Sequence, residues 1–206
     1  MFSSLDEKRD FIINTLESLY PNPEIPLDHK NTFTFLVAVM LSAQSTDKKV
    51  NEITPALFAE ADSAKKMSLL KVDQIKNLIR QIGLAPTKSK NIKKMSQILI
   101  NEYNGKVPNS IEKLKSLPGV GQKTASVIIS QIFNKPAFPV DTHIHRLAFR
   151  WKLSSGKNVV QTERDLKIIF PENLWNKLHL QIIFFGREYC KSKKTKCNCI
   201  ICSKII

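Results

Sequence analysis

The chain has 206 residues, an apolar content of 42% and a formal net charge of +14 at pH 7. That length and apolar content support a buried core in one large domain or two small ones and exclude wholesale disorder. The charge, carried by 26 lysines against 6 arginines, fits a polyanionic partner or an anionic surface, while compositional drift toward Lys, Asn and Ile produces the same imbalance without any binding.

The first segment, MFSSLDEKRDFIINTLESLY, mixes charges and lacks the apolar core of a signal peptide. Phe11, Ile12, Leu16 and Leu19 recur at the spacing of one helical face. They predict an amphipathic helix from Leu5 to Tyr20, ended by Pro21, Pro23 and Pro26. Asn31 or Thr32 suits the cap of the next helix. Its run FTFLVAVMLSA is too continuous for a surface helix and predicts a central one. No apolar run approaches the roughly 20 residues of a membrane span, so a soluble, cytoplasmic protein with no membrane partner is expected. The central helix leads into Ser42, Gln44, Ser45, Thr46 and Asp47, a polar tip able to meet a ligand. The same residues suit a cap for the following helix, and for Asp47 both readings stand.

Between Val50 and Asn101 short helices are expected, punctuated by Pro55 and by the break from Gly83 to Pro86. No window alternates apolar and polar residues long enough for a sheet, so the class is all-α. The loop GLAPTKSKNIKK sets Lys88, Lys90, Lys93 and Lys94 around a helix start, either as a solvated face or as the lining of an anionic groove. Behind Pro108 and Asn109, Ser110 caps a helix carrying Ile111, Leu114 and Leu117 on one stripe.

From Leu117 to Asp141 the sequence reads LPGVGQKTASVIISQIFNKPAFPVD. Pro118, Gly119, Val120 and Gly121 cannot continue a helix, and a second helix is expected from about Gln122 to Phe133. Two helices joined by such a turn present free N–H groups that grip phosphate without reading sequence. A tight turn between packed helices is the plainer alternative. Lys123 falls in the first turn of the second helix. A lysine nucleophile must be neutral, and an ordinary lysine is so in only about 0.1% of molecules near neutral pH; such chemistry needs a sheltered amine or a nearby base. Asp141 follows the extended Phe138-Pro139-Val140 and suits the N-cap of THIHRLAFRW, where an anion is also favoured by the helix dipole. His143 and His145 carry no assigned role.

All four cysteines, Cys190, Cys197, Cys199 and Cys202, lie in a C-x6-C-x-C-x2-C tail, a metal-site distribution and not a disulfide framework. Such thiolates can ligate a [4Fe–4S] cluster or a zinc ion, or remain reduced and inert.

LPGVGQKTASVI followed by VDTHIHR resembles the helix-hairpin-helix DNA glycosylases, in particular their endonuclease III branch. LVAVMLSAQSTD, IGLAPTKSKNI and the cysteine tail resemble that family in the same order, from about Phe33 onward. The resemblance implies a two-lobed all-α fold, with one helical lobe over residues 25–134 and a second over 1–24 plus 135–206 that carries the cysteines. It implies a monomeric, bifunctional DNA N-glycosylase and AP lyase of base excision repair, acting on oxidised or ring-saturated pyrimidines in double-stranded DNA. Lys123 is then the nucleophile at C1′ of the deoxyribose, and Asp141 accepts a proton or stabilises charge on the sugar. Gln44 fills the gap left by a flipped nucleotide, Leu84 sits in a second wedge loop, and Lys88, Gly119, Val120 and Gly121 bind DNA. The related adenine glycosylases lack a lysine at the hairpin position. The tail departs from the family's C-x6-C-x2-C-x5-C, its second gap being shorter by one residue and its third by three. The lysines between Cys190 and Cys197 (Lys191, Lys193, Lys194 and Lys196) are expected to form a positive loop. Rival readings are a non-catalytic hairpin DNA-binding protein, an iron–sulfur electron carrier, and a glycosylase for another lesion such as a mismatched adenine.

Overall fold

A computed structural model describes residues 2–192 and 197–205. Among these residues every regular element is helical, as the absence of alternating windows predicts. In chain order they are α1 (Leu5–Leu19), α2 (Thr32–Ser42), α3 (Asp47–Glu60), α4 (Ala64–Leu69), α5 (Val72–Leu78), α6 (Ala85–Tyr103), α7 (Ile111–Lys115), α8 (Gln122–Gln131), α9 (Thr142–Arg150), α10 (Val159–Ile169), α11 (Trp175–Glu188) and α12 (Cys202–Ile205). The chain divides into two compact units, one of Ile25–Phe133 and one of Met1–Glu24 with Asn134–Ile206.

The unit of residues 25–133 is built on α2. Every residue from Phe33 to Leu41 is buried, where a surface helix would bury only a stripe. Its start is fixed by a capping box: the Asn31 side chain accepts from the Thr34 amide at 2.9 Å, and the Thr34 hydroxyl oxygen accepts from the Asn31 amide at 2.9 Å. Thr46 caps α3, and Asp47 is its first helical residue. α3 also runs through Pro55, which the sequence marked as a break. An interior proline costs about 3 kcal/mol. The face formed by Val50, Ile53, Thr54, Leu57 and Phe58, all buried, outweighs that loss.

The second unit packs α1, α9, α10 and α11 around Trp151, which is fully buried with its ring edge-on to Phe185 at 5.7 Å. α1 ends at Leu19, and Gln181 of α11 reaches that end, donating to the Tyr20 carbonyl at 2.9 Å and to the Glu17 side-chain carboxylate at 3.1 Å. α11 also pins the extended run before α9. Asn176 accepts from the Ala137 amide at 3.2 Å, and buried His179 donates through Nδ1 to the Pro139 carbonyl at 2.9 Å. This anchoring fixes where α9 begins.

Replacing Trp151 by alanine is expected to cost this unit about 3–5 kcal/mol through loss of burial and the cavity left behind. Urea unfolding followed through the fluorescence of the remaining Trp175 measures it.

Candidate active site

The hairpin between α7 and α8 is built from two glycines with different duties. Gly119 has φ +81°, and a Cβ there would lie 2.8 Å from Met40 Cε and 2.9 Å from Asn91 Nδ2. The left-handed backbone demands glycine, and the contacts with Met40 and Asn91 seat the turn on α2 and α6. Gly121 is the N-cap of α8, with ordinary φ and nothing within 4 Å of where a Cβ would stand. Its lack of a side chain has a different consequence. Ser4, Asn31, Thr46, Ser63, Ser110, Asp141 and Asn158 each accept from an amide of the helix they begin. Gly121 cannot, so the first amides of α8 and the positive end of its dipole face open space. Val120 is buried, at 6% exposure, and its amide donates to the Leu117 carbonyl at 3.1 Å, closing the turn. α8 stops at Gln131, two residues before Phe133, after burying Ala125 to Ser130. Lys123 is exposed, the second residue of α8.

Three further residues of this unit hold left-handed backbone without being glycine: Asn104 at the C-cap of α6 (φ 51°), where asparagine tolerates it, and two with longer side chains, Gln44 with φ 58° and Leu84 with φ 62°. Both of these longer side chains are exposed, Leu84 by 55%. Gln44 follows the C-terminus of α2, and Leu84 is the N-cap of α6. The loops adjoin, since a Cβ on Gly83 would lie 3.6 Å from the Gln44 carbonyl oxygen. A left-handed conformation at a residue with a side chain costs on the order of 1–3 kcal/mol and persists only where the surroundings impose it.

Lys88 departs from the expectation of a groove-lining cation. It is 7% exposed, and its Nζ donates to the carbonyls of Leu41 at 2.8 Å and Ala43 at 2.6 Å. Buried this way, with burial lowering its proton affinity from lysine's ordinary value, it cannot meet a phosphate. A signal for this was present: Ala85, Lys88, Ser89, Ile92, Met95, Ser96 and Leu99 share the buried stripe of α6, so Lys88 falls on the apolar face. Lys93 likewise turns inward to the carbonyls of Ser68 and Leu70, whereas Lys90 and Lys94 are exposed.

Asp141 belongs to the other unit and is the N-cap of α9, its Oδ1 accepting from the Ile144 amide at 2.8 Å. The cap occupies one carboxylate oxygen and leaves Oδ2 for a second partner. On the same helix His145 is hydrogen-bonded to the Thr162 hydroxyl at 2.8 Å, and burial lowers the proton affinity of His143.

The four cysteine Sγ atoms lie within 4.8 Å of one another. Cys190, Cys197 and Cys202 are buried and Cys199 is half-buried. Cys190 and Cys202 Sγ approach to 3.9 Å, and the Cys202 amide donates to Cys199 Sγ at 3.5 Å. The hydrogen bond from Cys202, and then Arg150, favour the Cys190 thiolate, while the Cys202 thiol is pushed up. An all-thiolate, largely buried donor set suits a soft metal centre. Sequence reasoning missed the groups that hold it. Arg146 donates to the carbonyls of Gly186 at 3.1 Å and Cys190 at 2.9 Å. Arg150 donates to Cys190 Sγ and to the Lys191 carbonyl, each at 3.1 Å. Their i, i+4 spacing on α9 was the available signal. Of the expected basic loop, Lys191 is exposed and Lys193, Lys194 and Lys196 lie outside the described residues.

Comparison with known proteins gives a family model, the HhH-GPD superfamily base excision DNA repair protein, matching residues 37–172. Endonuclease III of Bacillus subtilis (strain 168) is 38% identical over 189 residues, which cover 91% of this chain and 86% of that protein. A non-covalent endonuclease III–DNA complex superposes with a TM-score of 0.90 at 35% identity, covering 98% of this chain and 94% of the other. A trapped endonuclease III–DNA covalent intermediate, an estranged-adenine complex, does so at 0.89 and 34%, covering 99% of each.

The hairpin glycines are expected to separate on substitution. Gly119→Ala loses about 1–3 kcal/mol from the left-handed strain and the clash with Met40 and Asn91. Gly121→Ala loses well under half of that. Thermal melts of the two variants side by side check the order.

Proposed function

The chain belongs to the HhH-GPD superfamily of base excision DNA repair proteins, in its endonuclease III family, and we propose that Lys123 and Asp141 carry out its reaction on a flipped deoxynucleotide. The protein is a base excision repair DNA glycosylase with AP lyase activity. Lys123 Nζ attacks C1′ as the glycosidic C1′–N bond breaks and the damaged base leaves with its electron pair, taking up a proton. Ring opening gives a Schiff base between Nζ and C1′. Loss of a C2′ proton then expels the 3′ phosphate by β-elimination. The observation that carries this reading is the position of the amine: Lys123 is exposed in the first turn of a helix whose amides no side chain caps. The same turn can hold the DNA backbone and present the nucleophile, and a protein of the same fold forms a trappable covalent intermediate with DNA.

Asp141 stands at the start of α9 with one oxygen outside the cap, suited to accept a proton or to stabilise positive charge developing on the sugar. Gln44 and Leu84 take the places of the displaced nucleotide and hold the stack open, since C1′ is out of reach within an intact duplex. Gly119 and Gly121 contribute backbone to the phosphate contact, with Val120, its amide bonded to Leu117, holding the turn between them. The substrate is double-stranded DNA with oxidised or ring-saturated pyrimidines or abasic sites, and the enzyme works as a cytoplasmic monomer; no helix among the described residues is long and apolar enough to cross a membrane. Cys190, Cys197, Cys199 and Cys202 hold a [4Fe–4S] cluster. The fit rests on four converging soft thiolates, a donating guanidinium at Cys190 and the apolar surroundings of Trp151 and Phe185. Bound there, the cluster supplies a rigid structural centre and no step of base removal.

Borohydride trapping with an abasic duplex tests the nucleophile: wild type gives a covalent complex, and Lys123→Ala gives none while still binding. A wild type that gives none overturns the assignment. Asp141→Asn retains the cap, because Asn and Asp cap equally well, so its melting temperature holds while single-turnover base excision falls by about 10²–10⁴-fold. Equal excision by wild type and variant removes Asp141 from the chemistry. Aerobically purified protein is expected to show a broad absorbance in the blue region and to contain iron; a colourless protein with stoichiometric zinc excludes the cluster.

A further inference from the structure

Lys88, near the start of the helix that Leu84 opens, reaches through its side chain to the loop that carries Gln44. Its backbone amide makes the first intrahelical bond of α6, to the Leu84 carbonyl at 2.9 Å, as any residue at this position would. Its Nζ, at the far end of a buried stem, donates to the Ala43 carbonyl at 2.6 Å, one residue before Gln44, and to the Leu41 carbonyl at 2.8 Å. Gly83, the neighbour of Leu84, faces the Gln44 carbonyl across the remaining space. A single residue therefore spans the two positions at which this unit keeps a large side chain at a left-handed backbone, Gln44 and Leu84.

The chemistry of the contact is unusual for a lysine. An ammonium is costly to bury, and its hydrogen bonds here are to neutral carbonyls. Those carbonyls belong to the C-terminal end of α2, where the helix leaves acceptors unpaired and its dipole is negative. A smaller donor would satisfy one such carbonyl. The long cationic side chain does more, since it fixes the end of α2 to the beginning of α6 at a set distance. Left-handed Gln and Leu persist only if neighbouring structure over-determines them, and the Lys88 ammonium supplies one such restraint by tying the Ala43 carbonyl, next to Gln44, to the helix that Leu84 opens.

We propose that Lys88 is a positioning residue that holds the Gln44 and Leu84 tips at a fixed spacing, so that both side chains enter the base stack as one rigid wedge. The inference rests on the reading above, in which those two side chains enter the duplex. Lys88 itself touches neither DNA nor the reacting atoms. Its effect is confined to substrates whose bases are stacked.

Lys88→Met keeps the stem and removes the ammonium. Two measurements are compared with wild type: single-turnover cleavage of an abasic site in a duplex carrying 2-aminopurine beside it, and borohydride trapping on the same site in single-stranded DNA. Misplacing the wedge lowers the duplex rate and the 2-aminopurine fluorescence rise by about ten- to a hundredfold, while single-stranded trapping is unchanged. Combining Lys88→Met with the double variant Gln44→Ala, Leu84→Ala adds no further loss on the duplex, because the clasp acts only through the tips. Equal losses on both substrates, no loss on either, or full additivity overturn the proposal. If Gln44→Ala and Leu84→Ala open the stack as well as wild type does, the wedge reading falls and this inference falls with it. If those variants are impaired and Lys88→Met is not, only the role of Lys88 is lost. Lys88→Gln, which keeps an amide donor without the charge, carries the same comparison if Lys88→Met does not fold.

Discussion

A helix buried from Phe33 to Leu41 must still dispose of its last carbonyls, and α2 passes two of them to a lysine. Phe33 to Leu41 are enclosed, and the carbonyls in the last turn of such a helix have no partner within the helix. Lys88 supplies a donor from α6. Much of the unit of residues 25–133 is arranged about this junction. The chain leaves α2 through the left-handed Gln44, α6 begins at the left-handed Leu84, and the hairpin glycine Gly119 is seated against Met40 of α2 and Asn91 of α6. The hairpin and the loops of Gln44 and Leu84 thus rest on the same two helices, α2 and α6.

Where helices begin is equally telling. Most start on a Ser, Thr, Asn or Asp that consumes an amide of its own first turn. α8 starts on a glycine and leaves those amides for something else. Asp141 combines both habits, capping α9 with one oxygen and keeping the other. Its place depends on α11, whose Asn176 and His179 fix the preceding extended run, and α9 in turn carries the arginines that hold Cys190. The cysteine centre and Asp141 are therefore fixed to one helix.

The periodicity of the sequence carried the all-α class, the apolar run carried the central placement of α2, and Asn31, Ser110 and Asp141 were readable as caps because capping is a property of a few adjacent residues. Gly119 was readable as a turn for the same reason. α3 was misjudged at Pro55: local propensity counts the lost hydrogen bond but not the five buried side chains that offset it. Lys88 was misjudged because a lysine is usually a surface residue, although its position on the apolar stripe of α6 pointed inward.

The sequence by itself determined the helices, the exposed amine at the start of α8, the capping carboxylate and the crowding of four thiols into one tail, since each depends on neighbours within a few residues. The tertiary structure decided which lysine is buried, which two loops adjoin, and that Arg146 and Arg150 reach the Cys190 segment some forty residues away along the chain. The physical reason is that a carbonyl or thiolate acquires its donor from whichever segment packs beside it, and that choice is made by the core.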